Sequence, residues 1–200
     1  MKMSKKLLKA VALVGCAVLL VAGSVAGTLA YLTSKTGPVT NTFTVGNVTI
    51  TLDETKVDLY GATDAATARV TANDYKLIPG HEYVKDPTIH VAQGSEPCYL
   101  FVKITDELSA IQDTKTIVEQ LTANQWTQIA DTNVWYHNVV IDASQTAQDV
   151  PVFKSLKIKA DAQVSNYANK TVSVIAYAVQ KDGFDNALAA WSNTFSSENS

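Results

Sequence analysis

Apolar and polar residues alternate with period two in several short segments, a pattern typical of half-buried β-strands. The segments are residues 43–45, 48–52, 88–91, 99–104, 126–130, 134–141, 150–158 and 171–180. Turn-forming residues 131–133 predict a hairpin between two of them, and Pro79-Gly80 predicts a turn before another. Because no repeated strand–helix–strand alternation appears, we expect a mainly β fold, an antiparallel two-sheet β-sandwich of about seven to nine strands.

Two segments follow the helical period instead, and we expect them to form one or two peripheral helices. Residues 113–123 carry apolar side chains at helical spacing, and Asp113 is placed to cap the N-terminus. Residues 184–195 carry an apolar stripe, and two acidic residues near their start are placed to cap the helix N-terminus. The stripe consists of Leu188, Trp191 and Phe195, and the acidic residues are Asp182 and Asp185.

The first thirty residues have the order of a secretory signal peptide. Four lysines precede residue 10, no acidic residue occurs, and residues 10–30 are apolar apart from Gly, Ser and Thr. The small-residue pair Thr28 and Ala30 predicts cleavage before Tyr31, with residues 24–26 as a second candidate site. Two alternatives stay open: the predicted signal helix is retained as an anchor, since it approaches the roughly 20 residues that span a bilayer, or Cys16 is lipidated.

Composition changes the picture once the signal is set aside. The 200 residues have a formal net charge of −3, which excludes a strongly basic nucleic-acid binder. Removing the four signal lysines from the 16 basic residues leaves 12 against 19 acidic ones, a charge of −7 that suits solubility outside the cell. Cys98 is then the sole cysteine, so no intramolecular disulfide forms and we expect a buried thiol.

The residues that carry chemistry in enzymes are sparse and do not match a catalytic pattern. His81-Glu82 begins like the zinc motif His-Glu-x-x-His, but Lys85 occupies the place of the second ligand. We expect His81, His90 and His137 to be solvent-facing rather than gathered at a metal. The adjacent carboxylate pairs 53–54 and 106–107 point to opposite faces of a strand. We therefore predict no catalytic residue, no metal and no cofactor.

Six aromatic residues offer a further alternative. They are Trp126, Trp135, Tyr136, Tyr167, Tyr177 and Trp191. Core packing accounts for most of them, and a platform that stacks sugars is the competing interpretation.

The order of motifs resembles the TasA/camelysin-type exported proteins, whose signals are processed by a SipW-type signal peptidase. The resemblance begins in residues 27–33 and 40–48, and it continues in residues 77–80 and 85–88. It then covers residues 97–103, 176–180, 183–184 and 190–191, so it touches nearly the whole chain. Cys98 departs from the aliphatic or small residue expected at that position.

The resemblance implies a jelly-roll-like sandwich exported by a Gram-positive-type bacterium to its cell surface or biofilm matrix. It also implies fibres built by donor-strand exchange, in which the segment after the cleavage site completes the sheet of the next subunit. The matching segment is residues 31–45, and its candidate pairing residues are Tyr31, Leu32, Val39, Phe43 and Val45. A flexible linker followed by an ordinary first strand is the alternative interpretation of that segment.

The predicted organisation is therefore a signal peptide in residues 1–30, a donor segment in 31–45, a sandwich in 46–195 and a disordered tail in 196–200. We expect residues 53–73 to form a loop or short irregular insertion. The expected partners are further copies of the chain, the signal peptidase and other matrix proteins, with no nucleic acid and with membrane contact only through the uncleaved signal. Two other functions stay open, a camelysin-type metallo-endopeptidase and a monomeric carbohydrate-binding or adhesin module with an exposed aromatic such as Trp135.

Overall fold

The computed structural model describes residues 47–63 and 68–198. In this part of the chain, ten strands and two α-helices are found. The strands are β1 (Ile50–Thr55), β2 (Arg69–Val70), β3 (Glu82–Val84), β4 (Thr88–Val91), β5 (Cys98–Asp106), β6 (Trp126–Gln128), β7 (Val134–His137), β8 (Gln148–Pro151), β9 (Ser155–Lys157) and β10 (Val172–Gln180). The α-helices are α1 (Ile117–Ala123) and α2 (Ala187–Thr194), and three short 3₁₀ helices lie at Ser109–Ile111, Val164–Tyr167 and Ser196–Glu198.

The strands form three sheets, and every strand pair is antiparallel. One four-stranded sheet has the order β2-β1-β4-β8, and the other has the order β10-β5-β7-β6. A two-stranded sheet pairs β3 with β9. The mainly β, antiparallel class predicted from the period-two pattern is therefore confirmed, and the predicted hairpin is the pair β6–β7.

Residues of both four-stranded sheets contribute to one apolar core. Ile89 and Val91 of β4 and Leu100 and Val102 of β5 are completely buried and belong to the same cluster. Because successive side chains of a strand point to opposite faces, the odd-numbered residues of β5 face away from this core. Phe101 there packs on the C-terminal helix α2, with ring centroids of Phe101 and Trp191 5.0 Å apart.

Both predicted helices exist, but each begins later than its sequence pattern indicated. Helix α1 begins after Thr116, whose side chain accepts a hydrogen bond from Glu119 N while Glu119 bonds back to Thr116 N. Asp113 is not the cap: it forms an ion pair with Lys157. Lys115, at φ 64°, breaks the helical path before Thr116.

The cap of helix α2 is Asn186, which accepts a hydrogen bond from Ala189 N, rather than Asp182 or Asp185. Trp191 of the predicted stripe is 2% exposed, whereas Leu188 is 49% exposed. The prediction was wrong for Leu188, because the buried face consists of Ala187, Ala190 and Trp191. The small alanine side chains let the helix pack closely on the sheet. A search for large apolar residues at helical spacing does not detect a buried face of this kind.

Three further expectations differ from the structure. Residues 150–158 were predicted as one strand, but β8 and β9 are separate strands in different sheets. The supposed loop 53–73 contains the end of β1 and all of β2, which pair with each other. Ser196–Glu198, assigned to a disordered tail, forms a 3₁₀ turn in which Glu198 accepts hydrogen bonds from Lys103 and Tyr177. The missed segments are short and polar, so tertiary contacts rather than periodicity define them.

Among residues 47–63 and 68–198, no helix combines the length and apolarity needed to cross a membrane. The predicted signal peptide lies outside the described residues.

Candidate functional site

Strand β10 is a nine-residue strand at the end of its sheet, and among the described residues β5 is the only strand that pairs with it. The direction of the backbone groups of β10 can be derived from its neighbour β5. Cys98 of β5 exchanges both backbone hydrogen bonds with Ile141, which lies on the side of β5 away from β10. Because backbone groups of an antiparallel strand alternate between its two sides, the odd-numbered residues of β5 bond to their partners in β10. These partners are Ser173, Ile175, Tyr177 and Val179.

The even-numbered residues of β10 therefore direct their N–H and C=O groups to the free edge. In the described part of the chain, no strand pairs with that edge. The even-numbered side chains point to the shared core but are only half-buried, unlike the fully buried side chains at the centre of β5. They are Val172, Val174, Ala176 and Ala178. Both the backbone and the apolar side chains of this edge are thus incompletely covered.

Strand β1 presents a similar edge on the other sheet. The Thr49 carbonyl accepts a hydrogen bond from Ala92 N, directly after β4. Because backbone groups alternate between the two sides of a strand, the following residue, Ile50, directs its N–H and C=O away from β4. The same holds for Leu52. Strand β2 pairs with β1 only at Glu54 and Thr55, so it leaves Ile50 and Leu52 without a neighbouring strand among the described residues.

A cavity of about 850 Å³ lies between β1 and the start of β10. Apolar walls come from Leu52, Leu77, Val172 and Val174, and the rings of three tyrosines complete them. The tyrosines are Tyr75, Tyr83 and Tyr167. The volume is within the range of about 300–1,000 Å³ that is common for ligand pockets.

The opposite side of the two sheets is closed by direct hydrogen bonds. Trp126 Nε1 in β6 donates to Pro151 O in β8 at 3.3 Å, and Asn124 Nδ2 donates to Val152 O at 3.0 Å. The indole of Trp126 is 1% exposed. These two hydrogen bonds join the β6 side of one sheet to the β8 side of the other, opposite the side that carries β1 and β10.

A buried polar group forms part of the cavity wall. Glu54 is 6% exposed and accepts hydrogen bonds from Lys85 Nζ at 2.8 Å and from Asn73 Nδ2 at 3.0 Å. Asn73 Oδ1 in turn accepts a hydrogen bond from Val57 N at 3.0 Å. The Lys85 ammonium lies 5.5 Å from the ring centroid of Tyr75. Sequence reasoning missed this group, although Glu54 continues the inward-facing series Ile50 and Leu52 and so places a carboxylate at a core position.

A second polar network covers the opposite face of β1. Asp53 accepts hydrogen bonds from Arg69 and from His90 Nε2, and the other ring nitrogen of His90 lies 2.6 Å from Asp149 Oδ1. Arg69 also pairs with Asp86. Burial acts to lower the pKa of His90, but the two carboxylates outweigh it and raise the pKa above its usual value. The network joins β1, β2, β4 and β8.

The histidines are not gathered at a metal site. Each ring is half-buried, keeps part of its surface exposed to solvent, and is hydrogen-bonded. His81 Nε2 lies 2.7 Å from Tyr60 O, and the His137 ring contacts Trp126 and Val139 O. In the described part of the chain, no three His, Cys, Asp or Glu side chains form a group suited to a metal ion.

The adjacent carboxylate pairs point to opposite faces, as predicted. Asp53 and Glu54 enter the two different networks described above. Asp106 binds Gln112 in the interior, where burial raises its pKa, whereas Glu107 pairs with Lys170 at the surface.

The thiol of Cys98 is buried, as expected, and burial raises its pKa to about 11. An inaccessible thiol with so little thiolate is a poor nucleophile.

The aromatic residues pack mainly into the interior, as the core-packing interpretation predicted. Trp126, Trp135 and Trp191 are between 1% and 6% exposed, and Tyr136, Tyr167 and Tyr177 are half-buried. The expectation that Trp135 is the exposed aromatic residue of a glycan site was wrong. Its strand, β7, lies between β5 and β6, and the Trp135 side chain belongs to the core.

The remaining candidate residues lie outside the described part of the chain. They are Thr28, Ala30, Tyr31, Leu32, Val39, Phe43 and Val45. Comparison of the chain with protein-family models, curated proteins and solved structures gives no match.

Proposed function

We propose that this chain is an exported structural protein of the bacterial cell surface or biofilm matrix, which polymerises by strand donation. Residues 31–45 of one copy add to the free edge of β10 in the next copy. The two four-stranded sheets are then the layers of a jelly-roll-like β-sandwich of the TasA/camelysin type. The observation that carries the proposal is the incompletely covered edge of β10 beside the cavity.

The edge of β10, with which no described strand pairs, supports strand addition because it offers a row of backbone donors and acceptors to another chain. An added strand pairs with these groups and places alternate side chains in pockets. Here the backbone groups of the even-numbered residues and their half-buried side chains lie on the same edge. One inserted strand therefore satisfies hydrogen bonds and covers apolar surface together.

The sequence of the proposed donor matches this requirement. From Val39 to Val45, odd positions carry Val39, Asn41, Phe43 and Val45, and even positions carry threonines. Such a strand presents a mainly apolar face, interrupted by Asn41, to the core and a polar face to water. Fifteen extended residues reach about 50 Å, which exceeds the length of the nine-residue β10 and leaves residues to connect the two subunits.

Head-to-tail donation leads to a filament, because each copy uses its own donor and keeps a free acceptor edge. Signal cleavage is the expected trigger, since an uncleaved segment stays tethered to the membrane. The direct test is negative-stain electron microscopy and size-exclusion chromatography of the protein that begins at Tyr31. We expect filaments, and we expect deletion of residues 31–41 to abolish them; a monodisperse monomer at high concentration contradicts the proposal.

A proline in β10 tests the acceptor edge separately. The Ala176 N–H faces the free edge, so Ala176→Pro removes a donor for the incoming strand and leaves the β5–β10 hydrogen bonds intact. We expect at least a tenfold lower rate of filament growth, measured by light scattering. Ala176→Gly is the matched control because it keeps the N–H. Equal growth of both variants and the parent protein excludes β10 as the acceptor.

The cavity also favours a second candidate function, a monomeric glycan-binding module. Tyr75 and Tyr167 in its wall offer rings on which a sugar stacks. This function predicts glycan binding by a protein that stays monomeric and loses affinity on Tyr167→Ala. Calorimetry with cell-wall glycans and the chromatography described above distinguish the two functions.

A further inference from the structure

Buried Glu54 and half-buried Lys85 and Asn73 together contain the parts required for an internal amide cross-link. We propose that Lys85 and Asn73 form an isopeptide bond in the folded chain, with Glu54 as the acid–base catalyst. The inference concerns the finished domain and holds whether or not the protein polymerises.

The three residues converge from separate segments. Glu54 lies in β1, Asn73 follows β2, and Lys85 follows β3. One carboxylate contacts both reacting groups: Oε2 is 2.8 Å from Lys85 Nζ and Oε1 is 3.0 Å from Asn73 Nδ2. A surface ion pair does not need an asparagine on the second carboxylate oxygen, so the third partner distinguishes this site from an ordinary salt bridge.

The orientation of Asn73 suits attack on its side-chain carbonyl. Nδ2 donates to Glu54 and to Thr55 O at 2.9 Å, while Oδ1 accepts from Val57 N at 3.0 Å. The nitrogen that must leave therefore contacts the acid, and the oxygen that must gain negative charge contacts a fixed backbone donor. A donor held at that position stabilises a tetrahedral intermediate.

The surroundings favour a reactive amine. The side chains of Lys85 and Glu54 are 12% and 8% exposed, and Tyr75 lies beside the lysine. Both charged groups are thus largely withdrawn from water at this site. A neutral lysine amine is a competent nucleophile toward a carbonyl carbon, and the Glu54 carboxylate holds both side chains at one site.

The reaction balances without any co-reactant. Glu54 removes a proton from Lys85 Nζ, and the nitrogen lone pair forms a bond to Asn73 Cγ. Glu54 then returns the proton to Asn73 Nδ2, the Cγ–Nδ2 bond breaks, and ammonia leaves. The new amide nitrogen loses its extra proton through Glu54 to the ammonia. One ammonium and one carboxamide thus become one secondary amide and one free ammonium ion, and the carboxylate is regenerated.

The cross-link stabilises the cavity wall. It joins the segment after β2 to the segment after β3, and both line the cavity beside β1. A single noncovalent pair at this position is lost by any opening of the segment, whereas an amide holds the wall in place.

Mass spectrometry of the intact protein that begins at Tyr31 tests the proposal directly. We expect a mass lower than that of the sequence by one ammonia, and a proteolytic peptide that joins Asn73 to Lys85. Glu54→Gln keeps both reacting residues and is expected to restore the full sequence mass. A parent protein that retains the full mass overturns the proposal, and ammonia loss that persists in Glu54→Gln overturns the assigned role of Glu54.

A matched control is available at the surface, where Asn169 lies next to the exposed pair Lys170 and Glu107. Asn169→Ala is expected to keep the ammonia loss, and mapping of the loss to residues 169–170 would contradict the assignment. If Glu54→Gln fails to fold, the parent protein still decides the matter, because its cross-linked peptide is either found between Asn73 and Lys85 or absent.

Discussion

At the scale of single residues, burial decides which polar groups interact. Asp53 and Glu54 are neighbours in β1, yet Asp53 joins a partly exposed network with Arg69 and His90, whereas Glu54 is buried and pairs with Lys85. Their separation follows from the strand period alone. The identity of their partners does not, because those partners lie 16 to 37 residues away in the sequence and are brought close only by the fold.

The network around His90 predicts a pH-dependent contribution to stability. His90 contacts Asp53 through one ring nitrogen and Asp149 through the other, and only the protonated ring donates to both. Its raised pKa means that this contribution is complete below 6.5 and is lost as the pH rises through the folded-state value. Asp53 belongs to the same network. Burial acts to raise its pKa, but Arg69 and His90 outweigh that effect and lower the pKa. The contribution of Asp53 to stability is therefore lost only in acid.

We expect His90→Gln to lower the free energy of unfolding by about 1 kcal/mol at about pH 5, and by less at about pH 9. Urea unfolding at both pH values measures the difference. His137→Gln is the control, since in the described part of the chain that ring contacts Trp126 and Val139 and no carboxylate. A loss for His90→Gln that grows with pH contradicts the assigned protonation.

At the scale of elements, periodicity located the strands well and their ends poorly. Strand β4 has the predicted bounds and β5 extends beyond the predicted segment at both ends. Helix α1 begins four residues later than its apolar spacing indicated, because Lys115 at positive φ and the Thr116–Glu119 capping box define its start. Side-chain hydrogen bonds at a cap depend on local geometry that apolar spacing does not encode.

The cap of α1 gives a prediction at this scale. Thr116→Ala removes the acceptor for Glu119 N and is expected to cost about 1 kcal/mol of unfolding free energy. Asp113→Ala is the matched comparison, since the Asp113 carboxylate forms a surface ion pair with Lys157 and accepts a hydrogen bond from the Thr114 backbone, which precedes α1. Thermal unfolding of both variants measures the costs. An equal or larger loss for Asp113→Ala would show that the cap lies where the sequence first placed it.

At the scale of the whole molecule, the two sides of the sheets differ in how completely they are covered. Hydrogen bonds of Trp126 and Asn124 join β6 and β8 on one side, while the side of β1 and β10 has a cavity and a β10 edge with which no described strand pairs. An asymmetry of this kind is a liability for a monomer. This side becomes an interface between subunits if another strand is added there, and the proposed function therefore depends on it.

This asymmetry predicts unequal costs of truncating two core-facing residues. Leu100→Ala, at a completely buried position, is expected to cost about 2–5 kcal/mol. Val174→Ala, at a half-buried position on the open edge, is expected to cost about 1 kcal/mol or less in the monomer. Urea unfolding at low protein concentration compares them. Equal losses would show that the edge of β10 is already covered in the monomer.

The sequence by itself determined the mainly β class, the β6–β7 hairpin, the opposite faces of adjacent carboxylates and the burial of Cys98. These features depend on local periodicity, turn residues and side-chain hydrophobicity. Only the tertiary structure decided which strands lie at the sheet edges, that β10 and β1 leave a cavity between them, and that Glu54, Asn73 and Lys85 meet. The physical reason is that a period-two pattern specifies which face a side chain takes, whereas pairing partners and open edges are set by contacts between segments distant in the chain.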